Sequence, residues 1–364
     1  MKIKDITNYL ETIAPLSLQE NYDNAGLITG NKNSEITSIL ITLDTTPEVV
    51  EEAVQKGANL VISHHPIIFK GLKKINGSNY VEQTIIKAIK NDIAIYAVHT
   101  NFDNISTGVN SILCKKLGLI NCKPLLPIEN SLRKLVTFIP KEHFEKVSEK
   151  VFEAGAGHIG NYDNCGYGTG GIGTFRAGEN TNPYVGEKGK IHKEPEIRFE
   201  TIFPYFIQNK VINALINAHP YEEVAYDIYT LNNSFEKTGA GMIGESKNEI
   251  PEIDFLKQIK STLNTGIIRH TALLDKPVKK VALCGGSGSF LLKHAIKQKA
   301  DIYISSDFKY HEFFDADNKI LIADAGHFET EQYTKELIFD ILTKKFNNFA
   351  CFLSNVNTNP INYL

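Results

Sequence analysis

The sequence lacks most of the marks of membrane, secreted and nucleic-acid-binding proteins. No apolar run approaches the ~20 residues that a membrane-spanning helix requires. The first residues, Met1-Lys2-Ile3-Lys4-Asp5-Ile6, contain no signal-peptide core. Five cysteines, an odd number with no Cys-x-x-Cys pair, argue against a disulfide framework. These absences predict a cytoplasmic protein with no membrane partner. Lysine and arginine (39) do not outnumber aspartate and glutamate (42), and the formal charge is -3 with a pI near 6.4. No general positive field draws nucleic acid, which is not expected as a partner. What is present is ordinary for a globular chain: 42% hydrophobic and 22% charged residues. The 364 residues are enough for two domains or more, each with its own core.

Read in order, residues 2–14 place Ile3, Ile6, Leu10 and Ile13 on one helical face, stopped by Pro15. A βα unit follows. Ile39 to Leu43 reads as a strand, Asp44-Thr45-Thr46-Pro47 as a helix start, and Glu48 to Lys56 as the helix that Gly57 closes. Next come a strand at Leu60–Ile62, a helix over 80–91 and a strand from Ile93 to Val98. After Pro127 the style changes. Leu132 to Ile139 is a predicted strand, Lys141 to Phe152 a helix, and 155–178 a glycine-rich stretch with room for one strand. Glu196 to Phe203 (strand), Ile207 to Asn217 (helix) and Glu222 to Leu231 (strand) complete a β-α-β-β-α-β order, the ferredoxin-like pattern. A self-contained unit can be inserted where the host chain ends lie close together. The predicted organisation is therefore α/β, with residues 1–129 and 241–364 forming two pseudo-equivalent parts of one core and 130–240 inserted as an α+β domain. Ala300-Asp301-Ile302-Tyr303-Ile304-Ser305 echoes Ala58-Asn59-Leu60-Val61-Ile62-Ser63, a weak internal duplication that brings equivalent strand tips together.

Strand tips are where open α/β sheets place ligands. Leu60 to Ile62 ends in Ser63-His64-His65-Pro66. The strand Ile93 to Val98 runs into His99-Thr100-Asn101-Phe102-Asp103, and Ile320 to Ala323 leads to Gly326-His327, with Glu331 one helical turn later. Each residue alone has a plainer reading: a strand-end histidine bonded to backbone, a helix cap, a solvated helix start. The adjacent histidines converge only if the chain turns, and Pro66 gives a reason for the turn. Taken together, His64, His65, Asp103, His327 and Glu331 suit zinc, iron or manganese. Five ligands exceed one tetrahedral ion, so two divalent ions bridged by Asp103 or water are expected. Glu329 should point elsewhere.

His64-His65-Pro66, His99-Thr100-Asn101-Phe102-Asp103, Ser306-Asp307-Phe308-Lys309-Tyr310-His311 and Gly326-His327-x-x-x-Glu331, in that order, resemble the GTP cyclohydrolase I type 2 family, also called the NGG-interacting-factor-three-like family. Gly160-Asn161-Tyr162-Asp163 and His219-Pro220-Tyr221-Glu222-Glu223 resemble the PII-like insert of its long members. The resemblance implies that the five ligands bind two divalent metals per subunit in a toroidal homohexamer, with the metals facing an internal cavity. The tryptophan that many members carry before Asp23-Asn24 is Tyr22 here, and the chain has no tryptophan.

These features predict a metal-dependent hydrolase, by resemblance one that opens the guanine imidazole ring of a nucleotide. His99 or a carboxylate would move the proton. Lys309 or the Gly285–Ser289 turn would hold phosphate, although a tight packing turn is an equal reading of those glycines. Asp307, Lys309 and His311 are read as groups behind the ligands or against substrate, or as a surface helix start. Two rivals stand beside this reading: a metal-binding regulatory or scaffold protein with a small-molecule-sensing PII-like domain, and a two-metal phosphoesterase.

Overall fold

In a computed structural model that describes all 364 residues, the β-branched runs of the first hundred residues become strands buried on both faces. The chain divides into two compact units, Met1–Pro127 with Glu236–Leu364, and Ile128–Phe235. The architecture is mixed α/β with three sheets.

The first unit holds two of them. One has five strands in the order Gly26–Thr29, Ala94–Ala97, Leu60–Ser63, Ile39–Thr42, Cys351–Leu353. All neighbours in it are parallel except Gly26–Thr29. Parallel strands need helical crossovers, and the helices Pro47–Gln55 and Tyr80–Lys90 supply them. Each starts on a side-chain cap: Thr46 accepts from the Val49 amide and Asn79 from that of Glu82. Leu40, Val61 and Ile95 pack against Val49, Val50 and Ala53 of one helix and Ile85 and Ala88 of the other. The second sheet has six strands in the order Arg269–His270, Leu321–Asp324, Ile302–Ser306, Val278–Ser287, Gly239–Ile250, Ile120–Pro127. Each sheet thus takes a strand from the distant end of the chain, Cys351–Leu353 in the first and Ile120–Pro127 in the second.

Three elements here were not expected. Ile120–Pro127 contains Pro124 and Pro127, which read against a strand; it lies at a sheet edge, where a missing ladder donor is tolerated. Gly239–Ile250 is rich in glycine and polar residues yet pairs with strands on both sides. The helix Glu252–Thr262 follows it. The expected glycine turn after Leu283 is also revised, because the strand Val278–Ser287 continues through Gly285 and Gly286. The helical turn that carries His327 and Glu331 is the short helix His327–Glu331, and a separate helix, Thr334–Lys345, follows it.

The second unit is a four-stranded antiparallel sheet in the order Gly166–Arg176, Ile191–Pro204, Leu132–Pro140, Tyr226–Leu231. Leu135, Ile139, Phe199 and Phe203 pack against Val147 and Val151 of the helix Phe144–Glu153 and Val211 and Leu215 of Gln208–Ala218. The last strand begins later than the sequence predicts. Residues before it turn on His219, whose Nδ1 accepts from the Tyr221 amide at 3.1 Å.

Candidate metal centre

Five side chains from both sheets of the first unit meet at their strand tips. The backbone turns at the end of Leu60–Ser63, where the His64 and His65 amides both donate to Leu43 O (3.1 and 3.0 Å) and Ser63 Oγ donates to His65 O (2.8 Å). This turn lets two adjacent rings face one way, with centroids 4.8 Å apart. Asp103 ends the short helix Thr100–Asp103, tied down by Asn110, whose Nδ2 donates to Asp103 O and whose Oδ1 accepts from the Gly285 amide. His327 and Glu331 follow Gly326, which takes φ 93° at the start of their helix. A side chain at Gly326 would strike Glu329 Oε2, 2.1 Å from the Cβ position, so only glycine serves there.

The four histidines are anchored alike. His64 Nδ1 donates to Val98 O (2.8 Å), His65 Nδ1 to Asp44 Oδ1 (2.7 Å), His99 Nδ1 to Asp23 Oδ1 (2.7 Å) and His327 Nδ1 to Asp307 Oδ2 (2.6 Å). In a neutral ring with its hydrogen on Nδ1, the lone pair sits on Nε2, the ligand form of imidazole. Three of those Nε2 atoms surround one carboxylate. Glu331 Oε2 lies 2.9 Å from His65 Nε2 and 3.0 Å from His327 Nε2, and Glu331 Oε1 lies 3.6 Å from His64 Nε2. His64 Nε2 is also 3.7 Å from Asp103 Oδ1, and the Nε2 atoms of His65 and His327 are 3.3 Å apart.

Buried atoms at the centre lack partners. His64 Nε2, Asp103 Oδ1 and Glu331 Oε2 are sealed from solvent and accept or donate no hydrogen bond. The close approaches to Glu331 Oε2 are therefore side by side rather than bonded. Orphaned buried polar atoms are costly and rare in native proteins. Here they are all good donors to a divalent cation, and the set passes the chemical test for one. His65, His327 and Glu331 form one trio whose ligand atoms lie within 4.8 Å of one another; His64, Asp103 and Glu331 form a second, and His64, His65 and His99 a third.

The electrostatics agree. Burial disfavours protonated His65 and His327, but the Glu331 charge and the carboxylates on Nδ1 overcome this and raise them to about 10 and about 11. The same negative charge that draws a proton to Nε2 draws a metal cation. Burial and neighbouring Glu331 raise Asp103, as expected for two carboxylates with no cation between them. Burial opposes ionisation of Glu331, yet His327, His65 and His64 keep it well below the usual range.

Of the sequence-predicted residues, His64, His65, Asp103, His327 and Glu331 converge, and His99 stands beside them with its ring 5.3 Å from that of His64. Glu329 turns away to accept from Asn359 and Tyr363. Glu331 reaches towards three histidines, and Asp103 Oδ1 stands 3.7 Å from His64 Nε2. Asp307 joins the site through His327, whereas Lys309 and His311 are exposed, with the Lys309 amide on Glu312. The Gly285 and Gly286 amides, offered for phosphate by the sequence reading, already donate to Asn110 Oδ1 and Thr330 Oγ1. Sequence reading missed Asp44 and Asp23 as anchors. Asp44 sits at the tip of Ile39–Thr42, so the strand-tip rule that found the histidines would also have found it. The centre opens into a cavity of about 870 Å³ whose walls include Tyr22, Phe69, Tyr80 and Phe290.

A sequence model of the family described as Duf34/NIF3 (NGG1p interacting factor 3) matches residues 1–360. A Bacillus subtilis (strain 168) protein named GTP cyclohydrolase 1 type 2 homolog is 37% identical over 367 residues, covering 99% of this chain and 98% of that one. A Staphylococcus aureus (strain MSSA476) protein of the same name is 33% identical over 369 residues, covering 100% of both. Among solved structures, a Bacillus cereus protein related to NIF3 superposes with a TM-score of 0.87 at 38% identity, over 100% of this chain and 99% of that one.

Proposed function

The chain belongs to the Duf34/NIF3 family, and from that premise we propose that it is a metal-dependent hydrolase with two divalent ions, zinc, iron or manganese, per subunit. The observation that carries this reading is the set of three Nε2 atoms around Glu331, each ring oriented by a hydrogen bond at Nδ1. His65 and His327 would hold one ion, His64 and Asp103 the other, and Glu331 would serve both. Such ions act as Lewis acids and lower the pKa of water toward ~7, giving a hydrolytic nucleophile at neutral pH.

His99 is the group to carry a proton. Asp23 fixes its Nδ1, and its ring stands edge-on to Phe69 on the cavity wall, 5.5 Å between centroids. Burial favours neutral Asp23, but bonds from His99 and Thr100 hold it down at about 2, so an ionised carboxylate stands behind the His99 ring. Phe69, Tyr80 and Phe290 offer flat apolar faces to a ring-shaped substrate. Relatives are named GTP cyclohydrolase 1 type 2 homolog, and the reaction proposed here on that resemblance is addition of water at C8 of guanine with opening of the imidazole ring.

Elemental analysis of purified protein tests the centre, and loss of guanine absorbance tests the reaction. Bound metal, loss of the chromophore with GTP, and neither metal nor activity in Asp103→Ala support the reading. Full metal occupancy in Asp103→Ala removes that residue from the ligand set. Phosphate release from esters with GTP untouched makes the protein a phosphoesterase. Absence of both reactions in the metal-loaded protein favours a regulatory or scaffold role, to which a unit with its own sheet and core at Ile128–Phe235 is suited.

We also take Ile128–Phe235 as a PII-like domain inserted into a core of two related parts, on the strength of its β-α-β-β-α-β element order. A toroidal cytoplasmic homohexamer completes the reading, and a monomer mass by light scattering would remove it.

A further inference from the structure

The segment after the strand Cys351–Leu353 has no regular secondary structure, yet it is tied down along its length. Ser354 N donates to Ile41 O (2.8 Å), continuing the pairing of that strand with Ile39–Thr42. Ser354 Oγ and Asn355 N donate to the two oxygens of Glu52 (2.5 and 3.0 Å). Further on, Asn359 Nδ2 and Tyr363 OH donate to Glu329 Oε1, both at 3.2 Å, and Glu329 is buried on the helix that carries His327 and Glu331. Residues 358–361 consequently form part of the wall of the metal-centre cavity.

Between those ties Thr358 Oγ1 donates to Asp44 Oδ2 at 2.5 Å, while Asp44 Oδ1 accepts from His65 Nδ1 at 2.7 Å. A carboxylate bonded through one oxygen can swing about its terminal torsion, a soft two-fold rotor. Bonded through both, with its own backbone carbonyl held by Thr42 Oγ1 at 2.9 Å, it has one orientation. We propose that Thr358 is a positioning residue for the metal centre: it locks Asp44, which fixes the ring plane and tautomer of His65 and aims Nε2 at the cation. The inference rests on the metal-centre reading above.

The test uses the full chain and zinc(II) as probe, with affinity measured by competition against a chelator. Thr358→Val keeps the side-chain volume and removes the hydroxyl; Thr358→Ser keeps the hydroxyl. Groups that orient metal-bound histidines typically change affinity 10–100-fold. We expect Thr358→Val to weaken zinc binding about tenfold, at the lower end of that range because it acts one bond further out. Its stoichiometry at saturating zinc should be unchanged. Thr358→Ser should bind as wild type, which a merely structural role for the segment does not require. The cobalt(II)-loaded visible spectrum of Thr358→Val should also differ from wild type, since ligand angle sets it. Thr358→Ala gives the same comparison if valine does not fold. Wild-type affinity in the hydroxyl-free variants, or equal loss in Thr358→Ser, overturns the inference and leaves the metal centre standing. A wild-type protein that takes up neither zinc nor cobalt overturns the metal-centre reading, and this inference with it.

Discussion

His327 Nδ1 donates to Asp307 Oδ2 across 2.6 Å, and the Asp307 backbone sits in the left-handed region at φ 61°. That conformation is unfavourable for most side chains and tolerated by aspartate, and the carboxylate meets the Nδ1 side of the His327 ring. Asp307→Ala frees the ring and its tautomer. Zinc affinity should fall 10–100-fold by chelator competition, with the circular dichroism spectrum unchanged.

Glu331 is the charge that all three inward imidazoles share, so Glu331→Gln should abolish metal uptake measured by elemental analysis. A ligand that binds only the folded state stabilises it, by about 2.7 kcal/mol at one hundred times its Kd. Chelator should therefore lower the melting temperature of wild type and leave that of Glu331→Gln unmoved.

Gly286 has φ 63°, and a Cβ there would lie 2.2 Å from Glu331 Oε1 and 3.2 Å from His327 Nε2. Gly286→Ala must move a ligand or the strand. Left-handed strain alone costs about 1–3 kcal/mol, and metal content should drop together with stability in a denaturant melt.

Phe199 is fully buried in the core of Ile128–Phe235, with edge contacts to Phe144 and Phe152 at 5.7 and 5.6 Å between centroids. Phe199→Ala should destabilise that unit by about 3–5 kcal/mol. Every ligand lies in the other unit, so zinc stoichiometry should hold while the unit's own unfolding transition moves to lower denaturant.

His219 is held neutral by burial, its Nε2 donating to Phe138 O at 3.0 Å and its Nδ1 accepting from the Tyr221 amide. Its folded pKa lies below the unfolded value of ~6.5. Between the two the unfolded chain binds the extra proton, so stability is complete above ~6.5 and declines as the pH falls below it. Denaturant melts at pH 7 and pH 5 measure that loss, which should shrink in His219→Gln.

Part of this architecture is legible in the chain because it follows from local rules. Ile39-Leu40-Ile41 and Leu60-Val61-Ile62 are β-branched runs between turn and cap residues, and both are strands. Thr46-Pro47 announces the helix it caps. The candidate ligands were readable for a related reason: each histidine or carboxylate follows an apolar strand, and open sheets gather ligands at strand tips. Gly239–Ile250 was not legible, since a strand of glycines and polar residues owes its state to the partners on either side. Neither was the break at Gln332-Tyr333, where the apolar spacing alone predicts one continuous helix.

Local order in the sequence thus determined which side chains stand at the ends of which strands, and that they are of metal-binding types. It did not determine that Asp44 and Asp23 would lie behind two of the rings, or that Glu331 would stand among three imidazoles. Nor did it place Thr358 against a carboxylate more than three hundred residues earlier. Those outcomes belong to the tertiary structure. Hydrogen bonds and ion pairs act over a few ångströms, whereas the residues that make them here are brought together only when two sheets and a terminal segment pack, and sequence spacing carries no record of that approach.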